Sequence, residues 1–111
     1  MVATIPYIIG ESMKTEAIEI NGKIATGYVL PLGKINLVFA KTETGLLGCG
    51  AFDVMALDKF DYPAARVKSS TGGSISSVID LLEGIVKDVN ESGSKLGVTV
   101  GMTGRQAIEK L

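Results

Sequence analysis

Hydrophobic and polar residues alternate along the first half of the chain, which is the pattern of β-strands with one buried face. The pair Asn21–Gly22 separates two such segments and supplies the two positive-φ positions of a type I′ hairpin turn. A second turn is predicted at Pro31–Gly33, followed by a largely apolar strand over 35–42 with both faces buried. These segments predict an antiparallel hairpin that continues as a meander.

Three strand–helix units are predicted in the second half, where the hydrophobic spacing changes. The strands are expected at 46–50, 64–70 and 96–101, and the helices that follow them at 53–60, 74–89 and 103–111. The middle helix has the strongest signal, because seven apolar residues recur at steps of three and four: Ile75, Val78, Ile79, Leu82, Ile85, Val86 and Val89.

Residues typical of helix ends support these boundaries. Ser74 is the expected N-cap of the middle helix, and Gly93 lies just past its end. Thr103 and Gln106 have the spacing of a capping box at the start of the last helix. The predicted fold class is therefore mixed α/β of the α+β kind: a hairpin and meander, then three strand–helix units, in a single mixed sheet with helices packed on it.

A chain of 111 residues is expected to form one domain. We assign residues 13–111 to this α/β domain. Residues 1–12 are interpreted as an N-terminal arm or an edge strand, because Pro6 argues against a central strand.

The loops that follow the three predicted strands each contain glycine and lead into a helix N-terminus. If these strands are parallel, their carboxyl ends lie along one edge of the sheet and the loops 49–53, 69–74 and 101–105 converge there. Unpaired N–H groups at helix N-termini attract anions. An antiparallel second half would separate the loops.

Arg66 and Arg105 are the only arginines, beside nine lysines. A guanidinium binds a carboxylate or phosphate through two parallel hydrogen bonds, so both are candidate anion ligands. The alternative is that Arg66 pairs with a structural carboxylate such as Asp53 or Asp58 and that Arg105 is solvated.

Cys49, the only cysteine, has two interpretations. It is either a reactive thiol near a helix N-terminus or a small buried residue that lets a strand pack closely under a helix. Asp53 either orients a ligand or caps the helix that it precedes. The backbone groups of the glycine-containing loops complete the candidate site residues: Gly50, Gly101, Thr103 and Gly104.

Composition excludes several classes of function. The chain has no histidine, so it cannot form cysteine–histidine or serine–histidine nucleophilic pairs or a Cys/His zinc site by itself, and no metal or cofactor is expected. A net charge of −1 and 5% aromatic residues disfavour nucleic-acid binding. No apolar run approaches the roughly 18 residues of a membrane helix. The single cysteine and the absence of a basic N-terminal region predict a cytoplasmic protein.

Three segments together resemble a known family: "GLLGCGAFDV" (45–54), "AARV" (64–67) and "VGMTGRQA" (100–107). They are similar to the YunC-like small proteins of bacteria and archaea, a domain family of unknown function. The resemblance implies an α+β domain of about this length and no particular activity. It points to the same positions, namely Cys49, Gly50, Asp53, Arg66, Gly101, Gly104 and Arg105, whereas the Ser69–Ser74 loop departs from the family's pattern.

Two functions from different classes follow. The first is binding of a small anionic ligand, a carboxylate or a phosphate, at helix N-termini beside Arg66 and Arg105, with catalysis left open. The second is a non-catalytic structural or protein-interaction module. A homo-oligomer is expected because the N-terminal arm and strand edges leave apolar surface to cover.

Overall fold

The computed structural model describes residues 12–111, so nearly all of the predicted N-terminal arm lies outside the described residues. Six strands form one mixed sheet in which the spatial order follows the chain order. The elements are β1 (Lys14–Ile20), β2 (Lys23–Leu32), β3 (Ile35–Lys41), β4 (Leu46–Gly48), α1 (Val54–Asp58), β5 (Ala64–Lys68), α2 (Val78–Glu83), β6 (Ile85–Val89), α3 (Glu91–Lys95) and α4 (Gly104–Lys110). The predicted fold class is confirmed.

The first half is the predicted antiparallel meander. Asn21 and Gly22 have φ values of 50° and 84°, which are the positive values that a type I′ turn requires. The second turn consists of Gly33 and Lys34 and begins two residues later than predicted, because Pro31 and Leu32 still pair with β3 and Gly33 takes the positive φ. The prediction that β3 is buried on both faces is wrong, since only alternate residues such as Val38 and Ala40 are buried.

The helix predicted over 74–89 is wrong in its extent. Only Val78–Glu83 is helical; Ser77, not Ser74, caps it, and Gly84 ends it in an extended conformation. Ile85–Val89 forms strand β6, in keeping with the high β-propensity of its branched residues. A Cβ at Gly84 would lie 2.9 Å from the Lys68 carbonyl oxygen, so the close approach of the chain to β5 requires glycine here.

Two smaller sequence predictions, for the segment 96–101 and for Gly93, are also wrong. The segment 96–101 forms no strand, because Gly97 and Gly101 adopt positive φ values near 100° that break an extended run. Gly93 lies inside α3 instead of after a helix. The third strand–helix unit is therefore β6 with α3.

Strand directions in the second half are mixed. β4 and β5 are parallel, but β6 is antiparallel to β5. Of the three predicted strands, 46–50 and 64–70 are therefore represented by a parallel pair, whereas 96–101 forms no strand, so the condition for convergence of all three loops is not met.

The hydrophobic core lies between the sheet and the helices α2 and α4, which contact the same face. Val78, Leu81 and Leu82 of α2 and Ile108 of α4 are buried there. A Cβ at Gly27 would lie 2.7 Å from a methyl group of Val78, so this helix packs directly on the backbone of β2.

Asn90 is the largest fully buried polar side chain in the described residues. Its amide nitrogen donates to the carbonyl oxygens of Val54 (2.9 Å) and Tyr62 (2.8 Å). Its side-chain oxygen accepts from the backbone N–H groups of Ala64 (3.1 Å) and Gly93 (2.8 Å). One side chain therefore joins α1, the start of β5 and α3.

Substitution of Leu82 by Ala is expected to lower the free energy of unfolding by about 2–5 kcal/mol, because the side chain is 7% exposed in the core. Ile79 on the same helix is 63% exposed, so Ile79→Ala is expected to change it by no more than about 0.5 kcal/mol. Urea unfolding of the two variants measures the difference. Equal effects would contradict this orientation of α2.

Candidate functional site

The candidate site begins where β4 ends. Gly48 pairs with Phe39 of β3 and Arg66 of β5, and β4 stops at this point while both neighbouring strands continue. Their extensions are separated by the space of one missing strand, about 10 Å between strand axes. The sheet therefore has a notch between the start of β3 and the end of β5.

Gly48 and Phe52 determine where β4 stops. The Phe52 N–H donates to the Cys49 carbonyl oxygen (3.2 Å), so the chain turns away immediately after the strand. The turn places the Phe52 ring over Gly48, where a Cβ would lie 2.5 Å from Cδ2 of that ring. Any side chain at position 48 would displace this aromatic ring.

A cavity of about 370 Å³ occupies the notch. Three lysines line it, from the β2–β3 turn, β5 and β6: Lys34, Lys68 and Lys87. Three serines of the loop between β5 and α2 also line it: Ser69, Ser74 and Ser76. No aspartate or glutamate is among its lining residues. We call it the lysine cavity.

Lys87 reaches the cavity because of a register shift between β5 and β6. Arg66 pairs with Asp88 and Val67 with Val86, so Lys87 is an extra residue with no partner on β5. A bulge of this kind redirects the side chain of the extra residue. The sequence analysis missed Lys87 because it placed this segment in a helix.

The wall formed by the loop 69–77 is fixed by hydrogen bonds at its C-terminal end. The Asn36 side chain donates to the Ser76 carbonyl oxygen (2.9 Å), which ties the loop to β3 across the notch. The N–H and the hydroxyl of Ser76 both donate to Asp80 Oδ2, at 3.1 and 3.0 Å. The backbone hydrogen bond, followed by that of the hydroxyl, lowers the pKa of Asp80 below its ordinary value.

Arg66 is engaged by protein groups. Its Nε donates to Asp88 Oδ2 (2.5 Å), and its Nη1 donates to the Gly50 carbonyl oxygen (3.1 Å). The alternative interpretation of Arg66, pairing with a structural carboxylate, therefore matches this geometry, but the partner is Asp88 and neither Asp53 nor Asp58. The second hydrogen bond fixes the turn after β4.

Cys49 is 6% exposed and belongs to the hydrophobic core cluster, while also contributing to the wall of the lysine cavity. Its N–H donates to the Val38 carbonyl oxygen (3.0 Å), so β3 still pairs with the chain one residue beyond β4. This environment corresponds to the packing interpretation of the thiol.

Asp53 caps α1, since its Oδ1 accepts from the Ala56 N–H (3.0 Å). It also lines a separate, smaller cavity of about 240 Å³ together with Phe52, Arg66 and Asp88. The capping interpretation of Asp53 is thus confirmed by the geometry of the helix start.

The segment 101–105 lies on the far side of β6 from β5. The N–H of Gly101 and the carbonyl oxygen of Met102 bond to Val86, and the Gly104 N–H donates to the Gly84 carbonyl oxygen. Thr103 forms the predicted capping box with Gln106. Arg105 is exposed, and none of these residues lines the lysine cavity.

Among residues 12–111, no group of three His, Cys, Asp or Glu side chains could hold a metal ion. Within the same range, every helix is too short or too polar to cross a membrane.

Acid is expected to weaken the hydrogen bonds by which Asp80 holds the loop 69–77. Because the folded-state pKa of Asp80 is lowered, its carboxylate contributes stability above its ordinary pKa of 3.8, and this contribution is lost as the pH falls through the lower folded-state value. Asp80→Asn should therefore reduce the decline of stability with acid, measured by urea unfolding between about pH 3 and pH 6. Glu83→Gln on the same helix is the control, and an identical slope in both variants would contradict the role of Asp80.

Iodoacetamide should alkylate Cys49 more than about tenfold more slowly in the native protein than in urea, because access to the buried sulfur requires local opening. The double variant Cys49→Ala/Ser70→Cys places the only thiol on an exposed loop and gives the rate for an accessible group. Native labelling of Cys49 as fast as that of this control would show that the sulfur is open to the cavity.

Comparison with known proteins gives one consistent result. Residues 48–111 match the model of the family described as "Domain of unknown function (DUF1805)". The chain is 30% identical over 94 residues to the uncharacterized protein YunC of Bacillus subtilis (strain 168), which covers 85% of this chain and 92% of YunC. The crystal structure of a protein of unknown function, TA1206 from Thermoplasma acidophilum, has a TM-score of 0.80 and 28% identity, and the match covers 95% of this chain and 98% of that one. The resemblance inferred from the sequence motifs is thereby confirmed: the chain belongs to the YunC-like DUF1805 family.

Proposed function

We propose that the protein binds a small anionic molecule, a carboxylate or a phosphate compound, in the lysine cavity. The observation that carries the proposal is the charge of the cavity: Lys34, Lys68 and Lys87 line it without a carboxylate among its other lining residues. Like charges gathered in one concave site repel one another, and a bound anion converts this repulsion into attraction.

Hydrogen-bond donors accompany the positive charge. The loop 69–76 contributes serine side chains, whose hydroxyl groups can donate to carboxylate or phosphate oxygens. Asp80 is not a lining residue of the cavity, and its Oδ2 accepts two hydrogen bonds from Ser76. Its carboxylate therefore holds the loop in place.

The volume supports a metabolite-sized ligand, because small-molecule sites typically enclose about 300–1,000 Å³. Arg66 has an indirect role in this proposal: it binds the Gly50 carbonyl and so fixes the turn that forms one wall. The proposed anion site therefore lies in the lysine cavity and not beside Arg105 and the helix N-termini, where the sequence analysis expected it. α1 and α4, at five and seven residues, are also short for anion binding through a helix dipole.

Binding is favoured over catalysis. The chain has no histidine to act as a base at neutral pH, and the one thiol at the cavity wall is buried in the core cluster. The other polar side chains of the cavity are those of three lysines, three serines and Asn36, which can hold an anion without any further chemistry.

Calorimetric titration with inorganic phosphate and with citrate, at constant ionic strength, tests the proposal. Each of Lys68→Gln and Lys87→Gln should weaken binding by about tenfold or more, because a hydrogen bond to a charged group contributes about 1.5–3 kcal/mol. Lys59→Gln makes the same charge change at an exposed position outside the cavity and should bind as the wild type does.

Absence of binding by either anion would contradict the proposal. Equal weakening in all three variants would also contradict it, because such a result reflects net charge and not a site.

A further inference from the structure

We infer that the anion bound in the lysine cavity is amphiphilic: a carboxylate or phosphate group joined to a short aliphatic chain. This ligand class rests on the proposed function, which assigns the charged group to the lysines, and it adds the chemistry of the remainder of the molecule. The feature that points to it is a hydrophobic part of the cavity lining that is continuous with the core of the protein.

Four hydrophobic side chains line the cavity beside the lysines. Cys49 and Val67 are 6% and 1% exposed and belong to the buried core cluster. Ile75 is half-buried and packs against the same cluster, and Ile35, at the start of β3, is 64% exposed. We call these four side chains the apolar wall. Most of it is the outer surface of the core, so a ligand that lies against it removes carbon from water.

The charged groups of the cavity lie towards solvent. Lys34, Lys68 and Lys87 are all exposed. Lysine side chains keep the ammonium group in water while their methylene stems lie along apolar surface. A ligand whose anionic group meets the ammonium groups therefore extends its other end towards Cys49, Val67 and Ile75.

Two polar side chains of the cavity are already engaged by the protein. The amide nitrogen of Asn36 donates to the Ser76 carbonyl oxygen (2.9 Å), and the Ser76 hydroxyl donates to Asp80 Oδ2 (3.0 Å). A ligand body rich in hydroxyl groups would give up hydrogen bonds with water that these donors do not replace. An aliphatic chain has no such bonds to lose.

The size of the cavity limits the chain. Its volume of about 370 Å³ lies near the lower end of the range for small-molecule sites. We therefore expect a chain of a few carbon atoms.

Titration of the isotope-labelled full chain with acetate, butanoate and hexanoate, at constant ionic strength, tests the inference through the amide chemical shifts. The dissociation constant should fall by about two- to fourfold for each added methylene group, because each one is buried against the apolar wall. The amide signals of Cys49 and Ile75 should shift more with hexanoate than with acetate. Methyl phosphate and hexyl phosphate form a second series, and the head group that binds more tightly at equal chain length identifies the anion.

Ile35→Thr should reduce the gain in affinity from acetate to hexanoate by about twofold or more and leave acetate binding unchanged, because threonine keeps the β-branch and removes apolar area. Ile24→Thr is the matched control, since Ile24 is 61% exposed on the neighbouring strand and does not line the cavity. It should bind both series as the wild type does. Lys68→Gln should weaken acetate and hexanoate by the same factor, because it removes charge and leaves the apolar wall intact.

Equal affinity of the wild type for acetate and hexanoate, and for methyl phosphate and hexyl phosphate, would overturn the amphiphilic class, while binding of all four would still support the anion site. A gain with chain length that Ile35→Thr and Ile24→Thr reduce equally would also overturn it, because the chain would then contact surface outside the cavity. Absence of binding by every member of both series would overturn this inference and the proposed function together.

Discussion

The position of the Phe52 ring over Gly48 is the contact on which the site depends. It stops β4 after three residues, in a sheet whose neighbouring strands continue. Because β4 is short, the sheet opens where a longer strand would have filled it, and the cavity walls come from residues far apart in the chain. The Arg66 hydrogen bond to Gly50 keeps the turn in this position. The notch is therefore a consequence of packing at one glycine.

Polar side chains fix the positions of the strands and helices around the notch. Arg66 and Asp88 lie opposite each other on adjacent strands, with side chains 31% and 33% exposed, so solvent weakens their attraction and their main effect is on geometry. Asn90 is fully buried and neutral, and all four of its hydrogen bonds are to backbone groups. Its loss would leave buried backbone groups unpaired, at about 1–3 kcal/mol each.

Local chemistry made much of the fold predictable. The Asn21–Gly22 turn, the Asp53 cap and the Thr103–Gln106 capping box each depend on residues within a few positions of one another, and each was identified from the sequence. The division of 74–89 into α2 and β6 was not predicted, because Ile85, Val86 and Val89 fit the apolar face of a helix as well as they fit a strand. Only Gly84, within that segment, indicated a break.

The candidate site was harder to predict for a different reason. Cys49 and Gly50 were identified, but the three lysines come from a turn, a strand end and a bulge, and nothing local relates them. The formation of β6 was equally undetermined, and this strand lies between β5 and the glycine-containing segment 101–105, which keeps that segment away from the cavity. The position of the lysines and that of the segment 101–105 both depend on which residues of distant segments pair with each other. Sequence patterns do not specify this pairing.

The Asn90 hydrogen bonds also bear on the order in which the protein folds. The meander β1–β3 joins neighbours through tight turns and can form from contacts that are local in the chain. Three of the four hydrogen-bond partners of Asn90, by contrast, lie 26 to 36 positions away in the chain, so the full set of bonds forms only when α1 and the start of β5 have packed against α3. Interactions completed after the folding barrier act mainly on the rate of unfolding. A single buried amide would then govern how long the native state persists more than how fast it is reached.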